Sequence, residues 1–351
     1  MGRGREGRGR YQGNSHAVSN TNAYDWAFLS GRVAAMESRL IRNDAMQRMA
    51  AFDDLNDVFL SISDTAYKDS FPIIEKLYEA DQVLGGILAE RLAEVARYSP
   101  IPDVVGMFRI GDDFRDFKSY LKRKLAGLDI PRGNGGAIGD VTWERVLGGL
   151  KTDLPGFWYD AAATVRAEAE ASPPELVPQA IDLVLDSEQL SQQVRTARAI
   201  GYPIIASWAE ALAVARSVEI IWRAKNSSYD MARLRRLFLR GELDRPLLQE
   251  LADLPLEAWP DRLRSTALGP LVDDVFSRPE GERVAWFAKR AADLLLARVR
   301  PAMSATFGPD RVFGYLCGLS TEIFNLRLVL SGRVNKISKH LLQARLREQY
   351  V

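Results

Sequence analysis

Apolar residues recur at helical spacing along most of this chain, and that periodicity most constrains how it folds. In the stretch 24–41, Leu29, Val33, Met36 and Leu40 are separated by four, three and four positions, so they share one helix face. The same rhythm continues near the other end through Leu316, Leu319, Ile323, Leu326, Leu330 and Val334. Convincing strand alternation is absent, and proline and glycine occur where helices typically end. The sequence therefore predicts an all-α protein.

A short pattern occurs three times. It consists of an acidic residue, two free positions, a polar residue, an apolar anchor, a basic residue, two free positions and a second apolar residue. It is found in DFRDFKSYL, DMARLRRLF and EIFNLRLVL, whose anchors are Phe117, Leu234 and Leu326. The anchors are 117 and 92 positions apart, and similar sequence follows each copy, which indicates one helical unit duplicated twice. The second copy departs from the pattern at Arg233, where the other two carry Asp or Asn.

The repeats predict a domain organisation. Residues 1–22 begin with MGRGREGRGR, which lacks the apolar core of a signal peptide and is typical of a disordered Arg/Gly-rich tail. The remainder divides into three helical repeats, 23–127, 128–240 and 241–351. We therefore expect three similar helical domains after the tail.

Charge and rare residues exclude several classes of function. The chain has 47 Lys+Arg and 46 Asp+Glu, a formal net charge of +1, so a nucleic acid is not expected as its main partner. Cys317 is the single cysteine, and His16 and His340 are the two histidines, so neither an internal disulfide nor a Cys/His metal cluster is expected. These features fit a reducing cytoplasm. The longest apolar stretch, 204–222, carries three charges, which predicts that it does not span a membrane.

Two acidic strings favour an enzymatic alternative. DDLND at 53–57 and DDFRD at 112–116 each place carboxylates on one helix face, where they could hold Mg²⁺ and the phosphates of a substrate. Such pairs are typical of isoprenyl diphosphate synthases. The two strings are only 59 residues apart, however, and no arginine pair follows the first. The structural interpretation is that both lie near helix N-termini, where acidic residues complement the helix dipole.

Other catalytic motifs are not supported. The sequence has no GxxxxGK[ST] motif, and the glycine-rich segment 133–139 has the wrong spacing for a dinucleotide turn, so it predicts a flexible loop. Neither histidine has a context that suits a catalytic base. We expect no cofactor, no metal and no catalytic residue. A non-enzymatic alternative stays open, namely a general helical-repeat scaffold.

The basic residues of the repeats are candidates for a surface. Lys118, Arg235 and Arg327 each follow the apolar anchor directly, so each lies beside the buried stripe. The head group of each can reach a partner or an acidic group on the same helix. A solvated helix face is the default interpretation, and three related helices presenting related groups around a pseudo-threefold axis is the functional one.

Both ends of the chain resemble the C subunits of prokaryotic V-type (A/V-type) ATPases, relatives of the d subunit of the eukaryotic V-ATPase. YDWAFLSGRVAAMESRLI resembles the start of that family, where an aromatic residue precedes Arg-Val and an Ala-Met-x-Ser-Arg-Leu run. FGYLCGLSTEIFNLRLVLSGRVNKISKHLLQARLREQYV resembles its end, with a Gly-Tyr pair, a Glu-x-x-Asn-Leu-Arg helix and a closing Arg-Glu-x-Tyr-Val. The tail, the 133–139 loop, the segment containing Trp143 and Trp158, and Arg233 depart from the family pattern.

The resemblance implies a non-catalytic central-stalk protein of a rotary V-type ATPase or ATP synthase. Such a chain forms a funnel of three similar helical domains around a pseudo-threefold axis, with one copy per complex, peripheral on the cytoplasmic face of the membrane. Its partners are the rotating shaft subunits and the proteolipid ring, between which it transmits torque. The repeat geometry offers Lys118, Arg235 and Arg327 as polar contacts and Tyr315 as an anchor at this interface. The sequence does not indicate whether the ion is H⁺ or Na⁺, or whether ATP is made or hydrolysed.

Overall fold

The structure is a computed structural model. It describes residues 22–65, 67–68, 77–130 and 138–351. No strand occurs in these ranges, so the prediction of an all-α protein is confirmed. The predicted tail lies outside the described residues except for Asn22, and so does most of the predicted glycine loop.

The described ranges contain sixteen α-helices. In chain order they are α1 Ala27–Glu37, α2 Asn43–Ala51, α3 Leu55–Ser63, α4 Leu77–Tyr98, α5 Pro102–Leu125, α6 Asp140–Leu147, α7 Gly156–Ala171, α8 Val177–Ile200, α9 Pro203–Asn226, α10 Met231–Leu237, α11 Pro246–Asp253, α12 Trp259–Arg264, α13 Gly269–Phe276, α14 Glu280–Val299, α15 Pro309–Val334 and α16 Lys339–Arg345. Short 3₁₀ helices are Ala23–Trp26, Pro174–Leu176, Gly241–Leu243, Leu256–Ala258 and Arg300–Ser304. None of the described helices combines the length and the apolar character needed to cross a membrane.

Local sequence accounts for many helix ends. The side chains of Asp54, Asp230 and Ser338 accept backbone N–H groups at the starts of α3, α10 and α16, which satisfies donors that the helix leaves free. Proline stands in the first turn of α8, α11, α12, α13 and α15, where its missing N–H is not needed. Gly201 ends α8 with a φ of 79°, a left-handed conformation that favours glycine.

The chain forms two compact units. Among the described residues, the central unit comprises those within Gly106–Gly201 and Ala209–Thr266, and the terminal unit comprises those within 22–105, Tyr202–Trp208 and Ala267–Val351. Compact units reflect contacts, whereas duplicated sequence reflects ancestry, so the two divisions need not coincide. The three-repeat division with boundaries near 127 and 241 therefore stays a prediction.

The core of the central unit contains an aromatic cluster built by α5, α6 and α7. Phe114, Phe117, Trp143 and Trp158 are all fully buried. The ring centroid of Trp158 lies 4.3 Å from that of Phe114 and 4.9 Å from that of Trp143. Phe117 stacks on Trp143 with centroids 4.4 Å apart. The indole N–H of Trp143 donates to Asp116 Oδ2 at 3.1 Å, so the polar edge of this ring is satisfied inside the core.

The core of the terminal unit surrounds α15, which packs against α1, α4 and α14. The last residues of the chain, 346–351, lie along α15 without forming a helix. Asn325 fixes this segment, since its side chain donates to the backbone oxygen of Arg347 at 2.8 Å and accepts the Arg347 N–H at 3.0 Å. The ring of Tyr350 lies directly over Gly318. A residue without a Cβ is needed there because the approach is so close.

We expect Gly318→Ala to lower the free energy of unfolding by about 1–2 kcal/mol, because overpacking outweighs the helix preference of alanine. An added Cβ would lie 2.6 Å from Tyr350 Cβ and 2.7 Å from Tyr350 Cγ, atoms that cannot move without the backbone. The matched control is Gly86→Ala in the middle of α4, where no described atom lies within 4 Å of the new Cβ. It should raise stability by about 0.5–1 kcal/mol. Urea unfolding measures both changes, and equal signs would contradict the prediction.

The repeat pattern corresponds to buried positions in all three copies. The anchors and second apolar residues are buried throughout: Phe117 and Leu121, Leu234 and Phe238, Leu326 and Leu330. The polar position between them is buried as well, at Asp116, Arg233 and Asn325. In the second copy the buried charge of Arg233 is balanced by its neighbours. Arg233 donates to Ser172 at 2.9 Å and lies 3.7 Å from Glu168. The predicted stripe of α15 is buried at every position except the last. There the prediction is wrong, because Val334 at the helix end is 45% exposed.

Candidate functional site

A polar cavity of about 230 Å³ lies within the terminal unit. Residues of α1 and the turn after it, of α4 and of α15 line the cavity, together with Tyr67, which follows α3. Its charged residues are Arg32, Arg39, Arg91, Glu90, Glu94 and Glu322. This composition suits polar contacts with a ligand or partner better than the burial of an apolar molecule.

Glu322 is the buried acid of the cavity. It lies on α15, is 1% exposed and supplies the acidic position of the third repeat. Its carboxylate accepts the hydroxyl of Tyr67 and the backbone N–H of Ile41. Burial raises the pKa of the Glu322 carboxyl to about 7, although both hydrogen bonds act to lower it. One ionisable group therefore ties α15 to the segments that follow α1 and α3.

Glu94 of α4 joins two arginines of the cavity wall. Arg32 Nε donates to one carboxylate oxygen at 2.5 Å, and Arg91 Nη1 donates to the other at 2.8 Å. Burial acts to raise the pKa of Glu94, but these two arginines hold it below its ordinary value. Arg39, in the turn after α1, is exposed, and within the described ranges it makes no ion pair. Its guanidinium is thus the cavity cation with the most free donors.

Tyr315, the predicted anchor, lines the same cavity from α15. It is 2% exposed, and burial raises the pKa of its phenol. Its hydroxyl lies 3.7 Å from the sulfur of Met36, which is a weak acceptor. The ring of Tyr315 presents almost no outer surface.

The three predicted polar contacts are held in ion pairs with other helices. Lys118 pairs with Asp186 of α8, Arg235 pairs with Asp253 of α11, and Arg327 Nε lies 2.6 Å from Asp81 Oδ1 of α4. The sequence predicted that each base could reach a partner or an acidic group on its own helix. In the structure each base pairs with a carboxylate of another helix. Such partly exposed pairs contribute about 1 kcal/mol or less each. Lys118 and Arg235 belong to the central unit, whereas Arg327 and Tyr315 belong to the terminal unit.

The acidic strings have structural roles. Asp54 caps α3 by accepting the N–H of Asn56 at 2.9 Å, as the structural interpretation predicts. The same interpretation is wrong for DDFRD, because α5 begins at Pro102 and the string lies inside it, where Asp116 accepts the indole of Trp143. In the part of the chain that the structure describes, no three His, Cys, Asp or Glu side chains are arranged to hold a metal ion. The isoprenyl diphosphate synthase alternative is not favoured.

Comparison with known proteins decides the family. A sequence model of the family described as ATP synthase (C/AC39) subunit matches residues 29–345, which is most of the chain. The chain belongs to this family. The C subunit of the V-type sodium ATPase of Enterococcus hirae is 22% identical over 343 residues, covering 92% of this chain and 98% of that relative. The resemblance seen at the two ends of the sequence is thus confirmed across the family range.

The cavity lies inside the family range, yet the sequence points to little of it. Of the four predicted contacts, only Tyr315 lines it. Arg32 and Arg39 are seven positions apart in RVAAMESRLI, a spacing of two helical turns that places them on one side of the segment. That spacing is the signal that could have identified them. Arg91 and Glu94 carry no comparable signal, because their role depends on how α4 packs against α1 and α15.

Proposed function

We propose that this chain is the non-catalytic coupling subunit of a rotary V-type ATPase or ATP synthase, joining the rotating shaft to the proteolipid ring. The observation that carries the proposal is the family match over residues 29–345. The full-length alignment with a protein named as the C subunit of a V-type sodium ATPase supports it. In this proposal one copy per complex lies on the cytoplasmic face, held there by the shaft subunits and the ring.

The proposed mechanism is noncovalent torque transmission. Rotation of the shaft turns this chain, the chain turns the ring and ions move, or the sequence runs in reverse during ATP synthesis. The chain must resist shear between its helices, and cross-helix bonds provide that resistance. In the central unit, Arg198 of α8 contacts Glu210 of α9 at 2.5 Å and Glu242 at 2.6 Å. In the terminal unit, Asn325 and Glu322 tie α15 to distant segments through buried polar bonds. The buried bonds of Asn325 and Glu322 stiffen the terminal unit because breaking them leaves unsatisfied polar groups.

The proposal includes three similar helical domains around a pseudo-threefold axis, with the shaft received in the funnel between them. The sequence repeat supports this arrangement, since its buried anchors and polar positions recur in all three copies. Lys118, Arg235 and Arg327 are the proposed polar contacts, and Tyr315 is the proposed anchor. Each base is positioned by a carboxylate of its own chain and still has donors left for a partner.

We expect the triple variant Lys118→Gln, Arg235→Gln and Arg327→Gln to weaken the capture of shaft subunits at moderate salt. Neutral replacements are preferable to charge reversal, because a reversed charge would face the carboxylate that already pairs with each base. The control replaces Arg48, Arg115 and Arg264 by glutamine, three exposed arginines that also form ion pairs. Equal capture by both triple variants would remove the three bases from the interface.

The proposed function is tested by gentle detergent extraction of membranes that carry a tagged copy of this chain, followed by affinity capture and mass spectrometry of the intact complexes. We expect shaft and proteolipid subunits to be captured with one copy of this chain per complex. Recovery of the chain without any ATPase subunit would overturn the coupling role.

A further inference from the structure

An exposed aromatic pair lies beside the cavity mouth. Phe28 is 62% exposed and Tyr98 is 39% exposed, and their ring centroids are 5.0 Å apart in an edge-to-face arrangement. The Arg32 guanidinium lies 5.9 Å from the Tyr98 ring centroid while its Nε donates to Glu94 in the cavity wall. Arg32 therefore connects the aromatic pair to the cavity as one continuous surface. Aromatic residues and arginine are the side chains that most often dominate binding at protein interfaces.

The cavity next to this pair has more donors than acceptors. Each of its three arginines carries five N–H groups. Of the three glutamates, Glu94 and Glu322 already use both carboxylate oxygens to accept hydrogen bonds. The hydroxyl of Tyr315 has only a sulfur as acceptor. Besides these groups, the cavity holds the exposed Glu90 carboxylate and the five N–H groups of Arg39, so donors outnumber acceptors. An incoming carboxylate would supply acceptor oxygens with a charge complementary to Arg39.

We propose that this surface docks an acidic segment of another ATPase subunit, which places an apolar side chain on Phe28 and Tyr98 and an Asp or Glu carboxylate in the cavity mouth. Arg39 and the Tyr315 hydroxyl are the main donors to that carboxylate. The inference rests on the proposed function, which supplies the partner complex, and it adds where and by what chemistry one partner binds. The cavity volume of about 230 Å³ is enough for one short side chain.

A variant of Glu90 tests whether the partner side chain that enters the cavity mouth is negatively charged. It is an exposed carboxylate on the cavity rim and would repel an incoming acid. Glu90→Gln should therefore tighten binding of the full chain to an ATPase complex prepared without it, by about threefold. Arg39→Gln should weaken the same binding about tenfold, because it removes charged hydrogen bonds. Arg48→Gln, at an exposed arginine of α2 paired with Asp44, is the control and should leave the affinity unchanged. Misfolding can only lower the affinity of a variant. Opposite changes in affinity for Glu90→Gln and Arg39→Gln would therefore show that the charge of these side chains is the cause.

Photo-crosslinking identifies what binds. With p-benzoylphenylalanine in place of Phe28, the assembled complex should yield a crosslink to a peptide of another subunit that contains Asp or Glu close to the crosslinked residue. A crosslink to lipid, to a second copy of this chain or to a peptide without an acid would overturn the inference, as would unchanged affinity of both cavity variants. So would binding of inorganic phosphate to the isolated chain that is lost in Arg39→Gln while no protein crosslink forms, because the cavity would then be a small-anion site. In each of these cases the unaltered chain still joins the complex, whereas failure of the unaltered chain to bind would refute the proposed function itself.

Discussion

Trp158→Ala is expected to lower the free energy of unfolding of the central unit by about 3–5 kcal/mol, the range for removing a large buried aromatic side chain. Trp158 is fully buried, and its ring contacts Phe114, Phe117 and Trp143 at centroid distances of 4.3, 5.5 and 4.9 Å. Truncation to alanine leaves a cavity among three rigid rings, which cannot collapse to fill it. The loss should be near the upper end of the range for that reason.

Urea unfolding followed by circular dichroism measures the change, and hydrogen exchange locates it. We expect faster exchange in α5, α6 and α7, which carry the cluster. The control is Val141→Ala on α6, at a position that is 79% exposed, and it should change stability by about 0.5 kcal/mol or less. A loss below about 1 kcal/mol in Trp158→Ala would mean that the cluster does not organise the core of this unit.

Helical periodicity predicts which residues of this chain are buried. It does not predict which residues of different helices contact one another. In the first predicted stripe Leu29 and Val33 are buried, as expected, because spacing along a helix fixes which side chains share a face, whereas Met36 and Leu40 are only partly buried. The partner of a surface residue depends on another helix, and its position is not encoded in local spacing. Lys118 illustrates this, since its carboxylate comes from Asp186, 68 positions further along the chain. Likewise, Trp143 and Trp158 depart from the family pattern in sequence, although both lie at the centre of a core.

The acidic residue of the repeat pattern has a different role in each of the three copies. Asp113 is buried inside α5, Asp230 caps the start of α10, and Glu322 lies in the cavity of the terminal unit. The pattern places each residue relative to its own anchor, but the surrounding elements decide what it contacts. Glu322 meets the N–H of Ile41 across 281 positions of sequence. A site assembled from such distant segments becomes visible only when the packing of α1, α4 and α15 is known.

Stability is expected to depend on pH through Glu322. Its pKa is about 7 in the folded chain against an ordinary value of 4.5, and burial is the main cause. A carboxyl whose pKa is raised by folding stabilises the fold while it is protonated, and this contribution is lost as the pH rises from 4.5 through about 7. The contribution is about 3 kcal/mol, since a pKa difference of one between the folded and unfolded chain corresponds to about 1.4 kcal/mol. In Glu322→Gln the side chain stays neutral, so the stability difference between the unaltered chain and this variant should shrink or reverse across that window.

Urea unfolding of both proteins between pH 4.5 and 8 gives this difference directly. Glu170→Gln, at an exposed glutamate of α7, serves as the control and should follow the unaltered chain at every pH. Parallel stability curves for the unaltered chain and Glu322→Gln would show that Glu322 does not titrate inside the cavity.

A second variant separates the effect of burial on the pKa of Glu322 from the effect of hydrogen bonding. The Tyr67 hydroxyl lowers the pKa of Glu322 by donating to its carboxylate, so Tyr67→Phe should raise that pKa further and extend the stability loss to higher pH.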